Sequence, residues 1–307
     1  MRYIEIDGMR LSRIGLGTWQ FGTREWGYGE AYASEIAPAL LRRAAEIGIT
    51  MIDTAEGYGP GRSEKIIGAT LPGLPPELRD GLTIATKFTP IAPAEPIVER
   101  QVQGCMNRLG VDALDMLYVH WKNPFVSAGR VMQAVRPLVR QGLVKHAAVS
   151  NFTLEQWQDA EAALRAPVVA NQVKFSLVSP NPAADLVPYA AETGRAVVAY
   201  SPLGQGLLAG RSDWSGATFR KMSIPKAARD GAAIDLLRTA LAEIAATHDA
   251  TPGQVALAWV VGHPNTIAIP GARTIEQLEQ NAAAGDIELA ADETARLDEL
   301  SAAFATR

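Results

Sequence analysis

Apolar and polar positions along the chain follow a rhythm whose period switches at regular intervals. Residues 3–12 alternate around Asp7-Gly8, and Asp-Gly between two short alternating runs marks a β-hairpin. Beyond it, short apolar runs, often rich in β-branched residues, predict eight strands at 14–17, 50–53, 82–87, 113–120, 147–150, 168–172, 196–200 and 266–269. Stretches of helical period lie between them, at 34–46, 63–70, 95–109, 128–140, 154–164 and 183–192. Further helices are expected at 233–247 and 253–261, and at 275–284 after the last strand. Ser34, Ser63, Thr153 and Thr274 stand where an N-cap accepts from unpaired N–H groups, and Thr274 with Gln277 has capping-box spacing. Gly48, Gly110, Gly142 and Gly194 each follow a helix and suit a left-handed C-cap.

Alternating β and α units imply parallel strands joined by helical crossovers. Over 307 residues, one closed (β/α)8 TIM barrel spanning 1–307 is the most economical arrangement, with an open doubly wound sheet as the alternative. No linker rich in Pro, Gly or Ser separates two cores. The segment 204–231 is the irregular part, and in a barrel it belongs at the top face as an active-site loop.

Composition narrows the picture. Hydrophobic residues make up 48% of the chain, enough for a sizeable core. The single cysteine, Cys105, permits no internal disulfide and fits a reducing, cytoplasmic compartment. Net charge is −4 with Lys and Arg scattered, which argues against a nucleic-acid partner. Residues 1–10 are charged and unlike a secretory signal, and no apolar run approaches the roughly 18 residues of a membrane span. The longest such run, 255–261, reads as a buried helix turn. Nothing in the pattern sets the oligomeric state.

Polar residues recur at the C-terminal ends of the predicted strands: Asp53, Lys87, His120, Ser150-Asn151, Asn171-Gln172 and Tyr200-Ser201. In a barrel these ends converge on one mouth, where such enzymes carry their sites. One polar strand end is usually a loop anchor; six in succession point to chemistry. Tyr58 follows Asp53 in the Gly-rich loop Glu56-Gly57-Tyr58-Gly59. A loop tyrosine can simply cover the rim, or it can act as a general acid. Its ordinary pKa, about 10, is too high for an ideal donor, and a neighbouring Lys87 ammonium is expected to lower it. A buried Lys87 needs a carboxylate partner such as Asp53, and His120 can orient a carbonyl.

In order, the motifs are Gly15-Leu16-Gly17-Thr18-Trp19, Asp53-Thr54-Ala55-Glu56-Gly57-Tyr58-Gly59, Thr86-Lys87 and Asp115-Met116-Leu117-Tyr118-Val119-His120. Val149-Ser150-Asn151-Phe152, Asn171-Gln172, Tyr200-Ser201-Pro202-Leu203-Gly204 and Ile269-Pro270-Gly271-Ala272 follow. Together, over essentially the whole chain, they resemble the aldo-keto reductase superfamily. The resemblance implies a (β/α)8 barrel with an N-terminal hairpin closing its bottom, and NADPH bound extended across the top, with NADH possible. It assigns Tyr58 as acid–base, Lys87 and Asp53 as its supporting pair, and His120 as carbonyl-binding residue. Gly17, Thr18 and Trp19 fall in the cofactor set. Ser150, Asn151 and Gln172 are expected to hold the nicotinamide carboxamide, and Tyr200 to back its ring. Ser201, Pro202, Leu203, Gly204, Gln205, Gly206 and Leu207 lie on the diphosphate side, where glycine lets the backbone approach. Many relatives carry a lysine where Gly271 stands. Arg273 is then the candidate for a 2′-phosphate, with Gln277 and Asn281 toward the adenosine. The Gly15–Gly17 run lacks the third glycine of a Rossmann fingerprint.

Trp19, Trp26, Tyr28 and Trp121 lie in or beside the first and fourth top loops and form a candidate pocket for a small-molecule carbonyl substrate. Two other readings stand beside this one. A cofactor-holding regulatory barrel would share the residues without turnover. A metal-dependent hydrolase fits poorly, with four histidines and no His-x-His or cysteine cluster. No metal site is expected.

Overall fold

A computed structural model describes residues 1–22, 31–210 and 231–305. Asp7 and Gly8 adopt φ of 49° and 82°, as a tight hairpin turn requires. They join β1 (Tyr3–Ile6) to β2 (Met9–Ser12) in an antiparallel pair. Eight strands then run parallel and in sequence order: β3 (Leu16–Gly17), β4 (Met51–Asp53), β5 (Thr83–Phe88) and β6 (Leu114–Val119), followed by β7 (Val144–Ser150), β8 (Val168–Lys174), β9 (Ala196–Tyr200) and β10 (Thr266–Ala268). The sheet curls until its ends meet. Ile14 bridges Ala268 in parallel, and Gly15 and Gly17 donate to the carbonyls of Ala268 and Pro270 at 2.8 and 3.1 Å. The (β/α)8 barrel expected from the alternation is the architecture found.

The hairpin plugs the N-terminal end of this barrel. Its Ile4, Ile6, Met9 and Leu11 pack with Met51, Ala85, Met116, Ala148, Ala170 and Ile267 inside the sheet. Tyr3 donates to the Gly48 carbonyl at 3.0 Å and Ser12 N–H to Thr50 Oγ1 at 2.8 Å, so the plug is tied to the loop before β4. A second, larger apolar cluster fills the layer between sheet and helices, with Trp157 fully buried and its indole N–H donating to the Val168 carbonyl. The run 255–261 lies in the helix Pro252–Gly262 and is buried throughout.

The helices Glu95–Leu109, Ala128–Arg140 and Leu154–Leu164 fall where the hydrophobic period put them. Thr153 caps through a full capping box. Thr274 also caps, but Gln277 turns its oxygen to the Arg273 N–H, so the reciprocal half of the box is absent. Gly48, Gly110, Gly142 and Gly194 all take positive φ. Two expected caps are not caps. Ser34 lies inside the turn Tyr32–Ile36, and Ser63 lies inside the helix Arg62–Thr70 with its hydroxyl facing Thr18 and Thr54. A further helix, Ala291–Ser301, escaped the pattern because its apolar stripe is narrow. It packs back through Leu297 and through Asp298, which accepts from the Trp259 indole at 2.7 Å.

Candidate active site

The parallel register brings the polar strand ends to one mouth. Asp53 ends β4, Lys87 lies near the end of β5, and His120 follows β6 directly. Ser150 ends β7, Gln172 lies in β8, and Tyr200 ends β9. Just past two of these ends, Asn151 and Ser201 adopt φ of 62° and 51°, turning the chain into the mouth.

Lys87 and Asp53 are 0% and 2% exposed. Lys87 Nζ lies 2.8 and 2.7 Å from the two Asp53 carboxylate oxygens and donates to the Thr54 carbonyl at 2.9 Å. It also donates to the Tyr58 hydroxyl at 3.1 Å. Gln172 Nε2 adds a donor to Asp53 Oδ1 at 2.6 Å. Burial pushes the Asp53 carboxyl up and the Lys87 ammonium down, while each partner's charge opposes that shift. Two contacts within 2.8 Å and a backbone acceptor favour the ion pair.

Tyr58 departs from expectation in its electrostatics. Burial, and then the Asp53 charge, push its hydroxyl well above the usual tyrosine value. The lowering expected from Lys87 does not prevail, because burial and then the Asp53 carboxylate outweigh it. Tyr58 is therefore a phenol, not a phenolate, at neutral pH. Its loop is fixed by close backbone contact. A Cβ on Gly22 would strike the Tyr58 carbonyl, and one on Gly59, which takes φ +60°, would strike the Gly22 carbonyl. Behind Asp53, Thr18 Oγ1 donates to the Asp53 carbonyl at 2.8 Å, and Thr18 and Thr54 both meet Ser63 Oγ.

His120 packs edge-on to Tyr58 at 5.9 Å between ring centroids and stacks on Trp121 at 5.4 Å. Burial, then the Lys87 charge, push its pKa down to about 3, so the ring is neutral. Its Nδ1 is buried without a partner among the described residues. On the adjoining wall Tyr200 donates to Asn151 Oδ1 at 2.9 Å, Asn151 Nδ2 to Ser150 Oγ at 3.0 Å, and Ser150 to the Gln172 carbonyl at 2.9 Å. Burial, with Tyr58 nearby, pushes the Tyr200 hydroxyl up to about 12.

These groups border a cleft of about 790 Å³ that runs across the mouth. Gly17, Trp19, Trp121, Ser201, Pro202, Leu203, Gln205 and Gly206 line it, and Gly271, Arg273, Gln277 and Asn281 form its far end. Thr18 and Lys87 stand behind the wall, fully buried, while Gly204 and Leu207 pack inward on neighbouring apolar side chains. Trp26 and Tyr28, and most of the expected top loop, lie outside the described residues. Gln277 and Asn281 bond the loop ahead of their helix, at the Arg273 N–H and the Gly271 carbonyl. Several lining groups were not singled out from sequence. Gln20 follows Trp19, Lys174 lies on the same strand face as Gln172, and Thr251 to Gln254 open the helix Pro252–Gly262. The period-2 face of β8 and the Thr251–Gln254 capping-box spacing were the available signals. A separate cavity of about 300 Å³ beside Lys122 and Phe152 is lined by none of the strand-end groups. Among the described residues, no three His, Cys, Asp or Glu side chains are placed to hold a metal ion, and no helix is long and apolar enough to cross a membrane.

A sequential parallel barrel with a Tyr–Lys–Asp–His constellation at its C-terminal mouth defines the class, and a model of the Aldo/keto reductase family matches residues 13–302. This chain belongs to the aldo/keto reductase family of oxidoreductases. It is 42% identical over 307 residues to an uncharacterized oxidoreductase of Mycobacterium tuberculosis, covering 99% of this chain and 94% of the relative. It is 33% identical over 303 residues to the methylglyoxal reductase YeaE of Escherichia coli, covering 97% and 94%. Among solved structures it is similar to a Klebsiella pneumoniae aldo-keto reductase crystallised with NADPH, at 32% identity and a TM-score of 0.79, covering 98% of this chain and 95% of that one. The thermostable aldo-keto reductase Tm1743, in complex with the inhibitor epalrestat, has 31% identity and a TM-score of 0.81 over 98% of this chain and all of that one.

Proposed function

We propose that residues 1–307 act as one barrel unit that reduces aldehyde or ketone carbonyls with NADPH, with Tyr58 as proton donor. The observation that carries the reading is the buried Lys87 ammonium, bound at once to Asp53, the Thr54 carbonyl and the Tyr58 hydroxyl beneath an open cleft.

The cleft suits a nicotinamide dinucleotide. Ser150, Asn151 and Gln172 offer the hydroxyl and amide groups that complement a carboxamide, and Tyr200 offers a flat aromatic wall beside them. Gly17 lets the chain pass close to the Ile269 carbonyl, 2.7 Å from where a Cβ would stand, which keeps the floor low. At the far end the Arg273 guanidinium has no carboxylate partner among the described residues, which suits an anionic 2′-phosphate. The NADPH complex of the Klebsiella relative supports the choice of cofactor.

When bound, a reduced nicotinamide supplies hydride to the carbonyl carbon. The chain supplies the rest. His120, neutral, edge-on to Tyr58 and lining the cleft, orients the carbonyl. Tyr58 delivers a proton from its hydroxyl to the developing alkoxide. Because Lys87 donates to the Tyr58 oxygen, the Tyr58 O–H is directed away from Lys87, and the ammonium stabilises the phenolate left behind. Asp53 holds Lys87 charged and in place. The Trp19 and Trp121 faces bound the substrate space.

The test is Tyr58→Phe, assayed by oxidation of NADPH on a carbonyl panel that includes methylglyoxal. Reduction should fall by about 10²–10⁴-fold while NADPH still quenches tryptophan fluorescence. Near wild-type turnover in this variant rejects Tyr58 as the acid. A chain that binds NADPH but turns over no carbonyl of the panel would instead be a cofactor-holding regulatory barrel.

A further inference from the structure

Tyr118 sits in the barrel interior behind the Lys87–Asp53 pair, and its hydroxyl takes no part in the contacts described above. It is the register partner of Lys87 across β5 and β6, so both side chains point inward, with Lys87 Nζ 5.8 Å from the Tyr118 ring centroid. Alanines 85, 148, 170 and 196 in the same interior cluster leave room for its bulk. It is fully buried, and its hydroxyl has no hydrogen-bond partner among the described residues. An apolar residue would fill this space without stranding a polar atom, so the hydroxyl calls for a reason.

Counting acceptors at Asp53 supplies one. Oδ1 accepts from Lys87 and Gln172, whereas Oδ2 accepts from Lys87 alone among the described contacts. A carboxylate oxygen takes two donors, so Oδ1 is filled while Gln172 holds it and has a place for another donor once that amide leaves. Tyr118 lies within electrostatic reach of Asp53, and burial and that charge keep its hydroxyl protonated, hence a donor. The Gln172 side chain approaches the same hydroxyl without reaching hydrogen-bond geometry. The other charged and titratable groups around the pair are already committed. Tyr58 faces it from the mouth side, neutral His120 follows β6, and Glu64, bound to Thr86 and Arg108, acts on Lys87 from the helix Arg62–Thr70.

We propose that Tyr118 is a reserve hydrogen-bond donor for Asp53, a positioning residue that engages when a bound nicotinamide carboxamide draws the Gln172 amide away. The proposal rests on the cofactor reading above. Its purpose is to keep Asp53 ionised, and Lys87 anchored, through the exchange of partners.

A stability cycle without cofactor tests the donor role. In the wild-type background Tyr118→Phe removes an unpartnered hydroxyl, so the melting temperature should hold or rise. In a Gln172→Met background the same substitution should lower it, because there the hydroxyl has already replaced the amide on Asp53. Equal effects in the two backgrounds overturn the proposal. The coupling to cofactor is read from NADPH binding by fluorescence against pH. Tyr118→Phe should weaken binding about tenfold. Without the reserve donor, Asp53 in the bound state gains proton affinity, so the loss of binding on acidification should begin about one pH unit higher than in wild type. An unchanged affinity and an unchanged acid limb, with wild-type NADPH binding intact, also overturn it. Failure of the wild type to bind NADPH would reject the cofactor reading and leave the stability cycle to decide the donor role alone.

Discussion

Replacing Lys87 with methionine isolates the charge at the centre of the site, because methionine keeps most of the side chain's length and apolar body. In the wild type the ammonium and both Asp53 oxygens lie within 2.8 Å of each other, at 0% and 2% exposure. The variant leaves a carboxylate in that place with Gln172 as its remaining donor. Breaking a buried pair on one side costs about 3–5 kcal/mol. The carboxyl can escape part of that cost by taking a proton in the folded state, and then the cost depends on pH. Its unfolded pKa is about 3.9. The sign is that of a group whose folded pKa is raised: folding takes up a proton, so stability falls as pH rises from the unfolded value toward the folded one. The loss relative to wild type should therefore be larger at pH 7 than at pH 5, by at most about 1.4 kcal/mol for each pH unit. Denaturant unfolding at both pH values, followed by tryptophan fluorescence, measures the difference. Asp53→Asn in the Lys87→Met background should recover much of the loss and abolish its pH dependence, since no buried carboxylate remains. Turnover should stay down in both variants, because Tyr58 has lost its donor at 3.1 Å. A loss of equal size at pH 5 and pH 7 in Lys87→Met would refute the ion-pair assignment.

The remaining predictions concern the rim and the cofactor end. Arg273→Ala should weaken NADPH about tenfold or more and NADH little, by fluorescence titration; equal weakening of both removes the 2′-phosphate assignment. His120 has its folded pKa lowered to about 3, so its contribution is present above the unfolded value of about 6.5 and is lost as pH falls from there toward 3. The stability difference between wild type and His120→Gln should therefore favour wild type more at pH 7 than at pH 4.5 in urea unfolding, and a constant difference rejects a buried neutral imidazole. Gly59→Ala places a methyl group against the Gly22 backbone at φ +60° and should displace Tyr58. Its kcat should drop by about 10²-fold with NADPH affinity retained, and an unchanged kcat would show that the loop tolerates the shift.

The barrel and its residue order were legible from the chain because both depend on local pattern. Short apolar runs and a 3.6-residue period put β9 at 196–200 and the helices at 95–109, 128–140 and 154–164 where they are found, and glycines 48, 110, 142 and 194 marked helix ends through backbone freedom alone. Polar strand ends followed as candidates, since parallel topology gives them one destination. What tertiary structure decided were quantities that depend on burial and on distances between residues far apart in sequence. Ser63 reads as a helix cap until the fold turns its hydroxyl into a buried cluster with Thr18 and Thr54. The direction of the Tyr58 shift reverses because the barrel buries the phenol and sets Asp53 against Lys87, neither of which the spacing of residues 53, 58 and 87 conveys. Tyr118 reads as one more apolar position of a strand. Only the pairing of β5 with β6 puts its hydroxyl behind the Lys87–Asp53 pair, 31 residues along the chain from its partner Lys87 and unpartnered in the barrel's interior.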